Sequence, residues 1–180
     1  MRLFLLLMVS LSFISLSYAD DDYFGSNQKR TGFDAVNNDL YKSSCASCHF
    51  AYQPGFLPSR SWQKMMQPSA LLNHFGDNAE LIEQDRLLVL KYLQENAADT
   101  TNSRRSKRIM RSLNHDDAPL RITDLRYFKQ RHHEVPARFV TGNPQVRSFG
   151  NCIACHTTAN TGSYSERAIR IPGVGRWEDD

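Results

Sequence analysis

Two short stretches of the chain share one pattern of cysteine and histidine. Residues 45–49 (the first motif) read Cys-Ala-Ser-Cys-His, and residues 152–156 (the second motif) read Cys-Ile-Ala-Cys-His. On a helix, positions i, i+3 and i+4 share one face, so the two thiols and the histidine would point at one object. That spacing lets the thiols bond to the two vinyl groups of a haem while the histidine reaches the iron. The motifs use all four cysteines, Cys45, Cys48, Cys152 and Cys155, and predict two covalently bound c-type haems.

Other uses of a C-x-x-C pair fit this sequence less well. A thioredoxin-like redox pair does not need the trailing histidine, which is present both times. A zinc site of four cysteines would leave both motif histidines unused and would require motifs 107 residues apart to converge. Two disulfides are the third alternative. We therefore favour two haems, with His49 and His156 as the first axial ligands.

The second axial ligand decides whether each iron transfers electrons or binds substrates. After the leader described below, the chain has only three methionines, Met65, Met66 and Met110. The 24 residues that follow the second motif contain neither methionine nor histidine. The distal ligand of the second haem must therefore come from earlier in the chain, or be absent.

Four histidines lie outside the motifs: His74, His115, His132 and His133. His74 follows the first motif across one loop, so we assign it to the first haem. His132 precedes the second motif across a turn-rich segment that can fold back, so we assign it to the second haem, with His133 as the close alternative. The opposite pairing, in which His74 and His132 serve each other's haem, stays open.

The first 19 residues have the three parts of a secretory signal peptide. Met1 and Arg2 precede an apolar run over residues 3–16, and small residues lead to a cleavage site after Ala19. We expect periplasmic export and no stable membrane insertion after cleavage, because the apolar run is short for a membrane span; an uncleaved anchor is the alternative. The remaining chain has 21 basic and 19 acidic residues, and haem propionates bring it close to neutral, so composition gives no sign of nucleic-acid binding.

About 161 residues then remain to fold. We divide them into a first-haem region, residues 20–99, and a second-haem region, residues 100–180, although the two have enough residues to form one compact unit. Apolar periodicity predicts helices near residues 33–50, 60–66, 69–75, 77–97, 104–113, 121–131 and 145–156. In the helix at 77–97 the expected apolar stripe is Leu81, Ile82, Leu87, Leu88, Leu90, Tyr92 and Leu93. The fold class is mostly α: an irregular helical protein organised around two covalently bound haems.

Two further groups of residues need interpretation. Between Thr100 and Arg131 there are nine basic residues and three acidic ones, which indicates a solvated helix face, partners for haem propionates, or a docking surface for an acidic protein. Several aromatic residues are expected to pack on the haems rather than to take part in catalysis: Tyr41, Phe50, Tyr52, Phe56, Trp62, Phe75 and Phe149.

Five stretches together resemble a known family in order and spacing. They are residues 45–62, residues 74–79, residues 121–123, residues 132–136 and residues 151–156. The chain thereby resembles the small bacterial dihaem cytochromes c of the DHC family over nearly all of its length after residue 19. The resemblance implies two bis-histidine haems in one helical protein, with His74 and His132 on the family's histidine positions. It departs from the family pattern at position 133, where this chain has histidine.

The resemblance also implies electron transfer, with a membrane b-type cytochrome and a small oxygen-binding c-type haem protein as candidate partners. Two nitrogen ligands on each iron would leave no position for a substrate and, without methionine, would give low reduction potentials. We therefore predict an electron-transfer protein rather than an enzyme. The alternatives are a dihaem peroxidase or reductase with one open iron, a gas-binding haem protein, and a tandem cytochrome with two His/Met domains, which the lack of methionine after Cys152 disfavours.

Overall fold

The computed structural model describes residues 32–177, and the predicted signal peptide lies outside them. The helices are α1 Asp39–Cys45, α2 Ser59–Met65, α3 Pro68–Leu72, α4 Glu83–Glu95, α5 Arg104–Arg111, α6 Arg126–His132 and α7 Cys152–Cys155. Short 3-10 turns lie at Pro54–Phe56, Ile122–Asp124, Ala137–Phe139, Ala159–Thr161 and Glu166–Ala168. Within the described residues, the one strand ladder is antiparallel, between β1 Arg170–Ile171 and β2 Gly175–Arg176. The predicted mostly helical class is confirmed.

The two motif helices are shorter than predicted. The helix expected over residues 33–50 is α1 alone, which starts where the Asn38 side chain accepts a hydrogen bond from the Tyr41 amide at 2.8 Å. It ends at Cys45, so the rest of the first motif lies in turns. The helix expected over residues 145–156 is the single turn of α7, because Arg147 has a left-handed φ of 70° that no continuous helix contains.

The longest helix, α4, begins six residues later than predicted. Residues 73–82 form a loop, in which the Ala79 amide donates to the Leu71 carbonyl at 2.9 Å. The predicted apolar stripe is wrong at Ile82, Leu87 and Leu88, which are half exposed or more, while Val89 and Leu93 are buried. These two residues are four apart and form the face on which α4 packs against α2 and α1.

Smaller boundaries also differ from the predictions. Pro68 occupies the first turn of α3, where its fixed φ suits the helix start, so Ser69 lies inside the helix and is not its cap. The segment predicted as one helix over residues 121–131 is a 3-10 turn followed by α6. The basic helix is confirmed as α5, and the Ser103 side chain caps it by accepting from the Ser106 amide.

The buried core includes residues from both predicted regions. Phe33 and Phe56 have ring centres 3.9 Å apart, and Tyr164 meets both rings edge-on. Gln53 is fully buried: its amide donates to the Ala159 carbonyl at 2.6 Å and its oxygen accepts from the Tyr164 hydroxyl at 2.6 Å. Hydrogen bonds thus cross the boundary placed at residue 99, and the division itself stays a prediction.

None of the helices between residues 32 and 177 combines the length and the apolar character that crossing a bilayer requires.

Candidate haem sites

The first motif begins at the last residue of α1 and continues through the residues that follow it. Cys45 is the last residue of α1, Cys48 is exposed in the following turn, and His49 comes next. The His49 Nδ1–H donates to the Phe50 carbonyl at 2.8 Å, which leaves Nε2 as the nitrogen able to bind a metal. The His49 ring packs at 4.8 Å from Tyr52 and has its centre 6.3 Å from that of His74, at an interplanar angle of 32°.

A tight turn presents His74. His74 and Asp77 form an antiparallel bridge, with the His74 amide donating to the Asp77 carbonyl at 2.7 Å. Between them Phe75 has a left-handed φ of 58°, and its ring meets the His74 ring at 4.7 Å. The Arg121 guanidinium carbon lies 3.9 Å from the centre of the Phe75 ring. His74 was predicted in the last turn of a helix, but it follows α3 in this loop.

The second motif is held on one turn of helix. α7 carries both cysteines, and His156 follows it with its amide bonded to the Cys152 carbonyl at 2.8 Å. His132 ends α6, where its Nδ1–H donates to the Phe128 carbonyl at 2.9 Å and its ring stacks on that of Phe128 at 3.9 Å. The centres of the His132 and His156 rings are 6.0 Å apart, at an interplanar angle of 78°.

A cavity of about 290 Å³ lies between these two histidines. Its walls include both cysteines of the second motif, Phe128, Phe149 and Tyr164. The Nδ1 atom of His156 is buried here and has no hydrogen-bond partner among the described residues. A large apolar space with a few convergent nitrogen and sulfur atoms is typical of a cofactor site.

Burial sets the protonation state of the site. It lowers the pKa of His156 to about 4, with the charges of His132 and Arg105 as further causes. Burial is also the main cause that lowers the pKa of His132 and of His74. These imidazoles are therefore neutral at pH 7, the form that binds a metal. Burial raises the pKa of the Cys45 thiol to about 11 and of the Cys152 thiol to about 12, so both carry their protons before attachment.

The ring distances fit an iron between each pair. Two metal–nitrogen bonds of about 2 Å, with each ring centre roughly 1 Å further on, place two centroids about 6 Å apart. The observed separations are 6.3 Å and 6.0 Å. Between residues 32 and 177 there is no cluster of three or more His, Cys, Asp or Glu side chains that would hold a metal ion without a porphyrin.

The remaining two histidines, His133 and His115, have mostly exposed side chains. His133 is exposed, donates from Nδ1 to the Gln130 carbonyl at 3.1 Å, and has Nε2 3.4 Å from the Glu134 carboxylate. His115 is almost fully exposed beside Asp116. The structure thus pairs the His74 ring with that of His49 and the His132 ring with that of His156. His133 also lines the cavity of the second motif, but its two ring nitrogens face Gln130 and Glu134. Which nitrogens ligate the irons stays a prediction.

Comparison with protein families matches residues 41–164 to the family described as Dihaem cytochrome c, DHC. The chain belongs to the dihaem cytochrome c family. Its members' cofactor is two covalently bound haem c groups, and the predicted cofactor is thereby confirmed. A search of curated proteins finds no match.

Solved structures of dihaem cytochromes c are similar to this one. The diheme cytochrome c of Shewanella baltica OS155 is 35% identical, with a TM-score of 0.64, over 78% of this chain and 98% of that one. A diheme cytochrome c from Rhodobacter sphaeroides is 40% identical, with a TM-score of 0.64, over 72% of this chain and 98% of that one. DHC purified from Rhodobacter sphaeroides is 36% identical, with a TM-score of 0.55.

Three residues at the sites of this dihaem cytochrome c escaped the sequence analysis. Phe128 stacks on His132 from four positions earlier on α6, a spacing that could have indicated it. Tyr164 packs at 5.2 Å from His156, and Gln53 bonds its hydroxyl. No local pattern indicates Gln53, because its bond to Tyr164 joins segments 111 positions apart; Tyr164 lies eight residues after His156, in an irregular segment without periodicity.

Proposed function

We propose that this dihaem cytochrome c is an exported electron carrier in which His49 with His74, and His132 with His156, ligate the two irons. The observation that supports it is the pair of histidine ring separations near 6 Å, one at each motif. The haems supply two one-electron couples. The chain supplies two imidazoles at each site, so that neither iron has a position open to a substrate.

The proposed ligands and their hydrogen bonds influence the reduction potentials of the two haems. All four proposed ligands are nitrogens, and ligation without methionine favours low reduction potentials. The hydrogen bonds from Nδ1 of His49 and His132 to backbone carbonyls fix the ring orientation and increase the basicity of the other nitrogen. Both features stabilise the oxidised irons relative to the reduced ones.

Single substitutions of the distal histidines test this assignment. In H74A and in H132A, we expect one of the two haems to become high-spin and to bind carbon monoxide after reduction. H133A and H115A are the matched controls and should keep two low-spin haems. A wild-type protein that binds carbon monoxide, or an H133A spectrum like that expected for H132A, would contradict the proposal and favour an open-iron enzyme or a gas-binding protein.

The partners follow from the family resemblance and from surface charge. We propose a membrane b-type cytochrome and a small oxygen-binding c-type haem protein as redox partners. An acidic surface of the partner would dock against the exposed side chains of Arg104, Arg108 and Arg111 on α5. Redox encounters use small interfaces whose rates depend on charge. The double variant R104E/R108E should slow reduction by an acidic partner at low salt and leave it unchanged at high salt. Equal slowing at both salt concentrations would count against a charged docking surface.

We also propose export to the periplasm with cleavage after Ala19. The support is the order of basic, apolar and small residues in positions 1–19. Amino-terminal sequencing of the protein from the periplasmic fraction should begin at Asp20. A haem-bearing protein that retains Met1 in the membrane fraction would indicate an uncleaved anchor.

A further inference from the structure

Arg121 contacts the turn that carries His74 from 47 positions later in the chain. Its guanidinium carbon is 3.9 Å from the centre of the Phe75 ring, within the range of a cation–π contact. The Phe75 ring in turn meets the His74 ring at 4.7 Å and 61°. A fixed positive charge is therefore linked through one aromatic ring to the imidazole at the first haem.

The turn itself requires outside support. A bulky residue rarely adopts a φ of 58°, because this left-handed conformation is strained for a side chain with a Cβ atom. The Asn73 side chain accepts from the Gly76 amide at 3.1 Å, and the His74–Asp77 bridge closes the turn. Phe75 is nearly half exposed, so the core does not hold its ring. The guanidinium of Arg121 covers the Phe75 ring and fixes it.

We propose that Arg121 is a positioning residue of the first haem, which holds the turn of His74 and raises the reduction potential of that haem alone. This inference rests on the proposed ligation of the first iron by His74. Reduction removes one positive charge from the iron, so a nearby cation destabilises the oxidised form more than the reduced form. The guanidinium keeps its charge at every pH of interest.

The geometry restricts the effect to the first haem. The Arg121 guanidinium lies on the Phe75 ring, which contacts the His74 ring. Arg121 is not among the residues that line the cavity between His132 and His156. Its side chain is exposed, so salt screens part of the interaction.

Potential-controlled titration of the holoprotein tests the proposal, with optical and electron paramagnetic resonance detection of each haem. In R121Q we expect the equilibrium constant for reduction of the first haem to fall about tenfold. This corresponds to a reduction potential about 59 mV lower for a one-electron couple. The potential of the second haem should not change. R121K keeps the charge, so its first-haem potential should lie closer to the wild type than to R121Q. R121M, which keeps an unbranched chain over Phe75, is a second neutral variant.

R126Q is the matched control, because Arg126 is also exposed, is close in sequence and carries the same charge. It should shift the first potential much less than R121Q does. Equal shifts in R121Q and R126Q, equal shifts of both haems, or no shift in R121Q and R121M would overturn the role of Arg121. A high-spin haem in the wild type would instead contradict the proposed ligation, so the two failures are distinguishable.

Discussion

The two pairs of histidine rings differ in their mutual orientation. The planes of His49 and His74 are 32° apart, whereas those of His132 and His156 are 78° apart. Phe128 stacks on His132 at 16° and its carbonyl accepts from the same ring, so the steeper angle is set by α6. If each pair ligates one iron as proposed, the angle between the imidazole planes determines how far the iron d orbitals are split, so the two haems should not be equivalent.

We predict two distinct low-spin ferric signals in electron paramagnetic resonance. The second haem, with nearly perpendicular rings, should give a signal with a large maximum g value, and the first a more ordinary rhombic spectrum. In F128L the stacking partner is lost, and the large-g signal should move towards the rhombic one. F75L, at the first site, is the control and should leave the large-g signal in place. Two identical signals in the wild type would contradict the geometry.

At the level of secondary-structure elements, a close backbone contact joins the two ends of the described chain. The Phe33 amide donates to the Gly162 carbonyl at 2.9 Å. A Cβ atom on Gly162 would lie 2.1 Å from the Phe33 carbonyl oxygen, and Gly162 also has a left-handed φ of 78°. Both the conformation and the space therefore require glycine here.

The variant G162A should lose stability both from its left-handed φ and from the clash with Phe33. Gly173 separates the two causes, because it shares only the first. Gly173 has a similar φ of 74°, but nothing lies within 4 Å of its Cβ position. We expect G173A to lower the free energy of unfolding by about 1–2 kcal/mol for the left-handed conformation alone. G162A should lower it by at least about twice that amount, because the Phe33 backbone must also move. Guanidinium unfolding of the holoproteins measures both; equal losses would show that the contact is not required.

The sequence predicted the number and type of the elements better than their ends. α5 begins at Arg104, as predicted, and α2 begins at Ser59, one residue before its predicted start. The starts of α1 and α4 were placed too early, since apolar residues such as Leu81 occur in the loops that border these helices and do not distinguish loop from helix. Near a haem, residues such as Phe75 and Arg147 adopt left-handed conformations that sequence periodicity cannot show.

For the whole molecule, the two sites differ in how far the chain encloses them. The second site is a partly open cavity of about 290 Å³ whose walls include the buried side chains of Val140, Val146 and Tyr164. At the first site Cys48 is exposed, and Leu72 and Phe75 in the distal segment are about half exposed. Without its haem, the second site would leave a larger apolar space unfilled than the first, and unfilled apolar space lowers the free energy of unfolding.

Loss of each haem should therefore have unequal consequences. The double variant C152A/C155A should accumulate poorly, and any recovered protein should be cut quickly by a protease. C45A/C48A should retain a folded second site with its low-spin spectrum. The two variants are compared by their haem content, their thermal unfolding and their rate of cleavage in limited proteolysis. A C45A/C48A protein less stable than C152A/C155A would contradict the difference in enclosure.

The composition of the sites could be predicted from residue types, while their construction could not. The six histidines and four cysteines limit the ligand choices so strongly that spacing alone favoured His74 and His132. The roles of Arg121, Gln53 and Tyr164 depend on contacts between distant segments, and nothing local in the sequence marks them. Arg121 belongs to the basic segment between Thr100 and Arg131, for which a solvated face was one interpretation. Its guanidinium carbon nevertheless lies 3.9 Å from the centre of the Phe75 ring at the first site.

Tyr52 connects the surroundings of the two haems. Its ring packs on His49, and its hydroxyl donates to the Gly150 carbonyl at 2.7 Å, two residues before Cys152. One side chain thus joins the two sites, and we expect each iron to feel the charge of the other. Once one iron has gained an electron, the other is harder to reduce, because a repelling positive charge has been removed from its neighbourhood. The molecule should therefore load its two electrons as separate, anticooperative events rather than together.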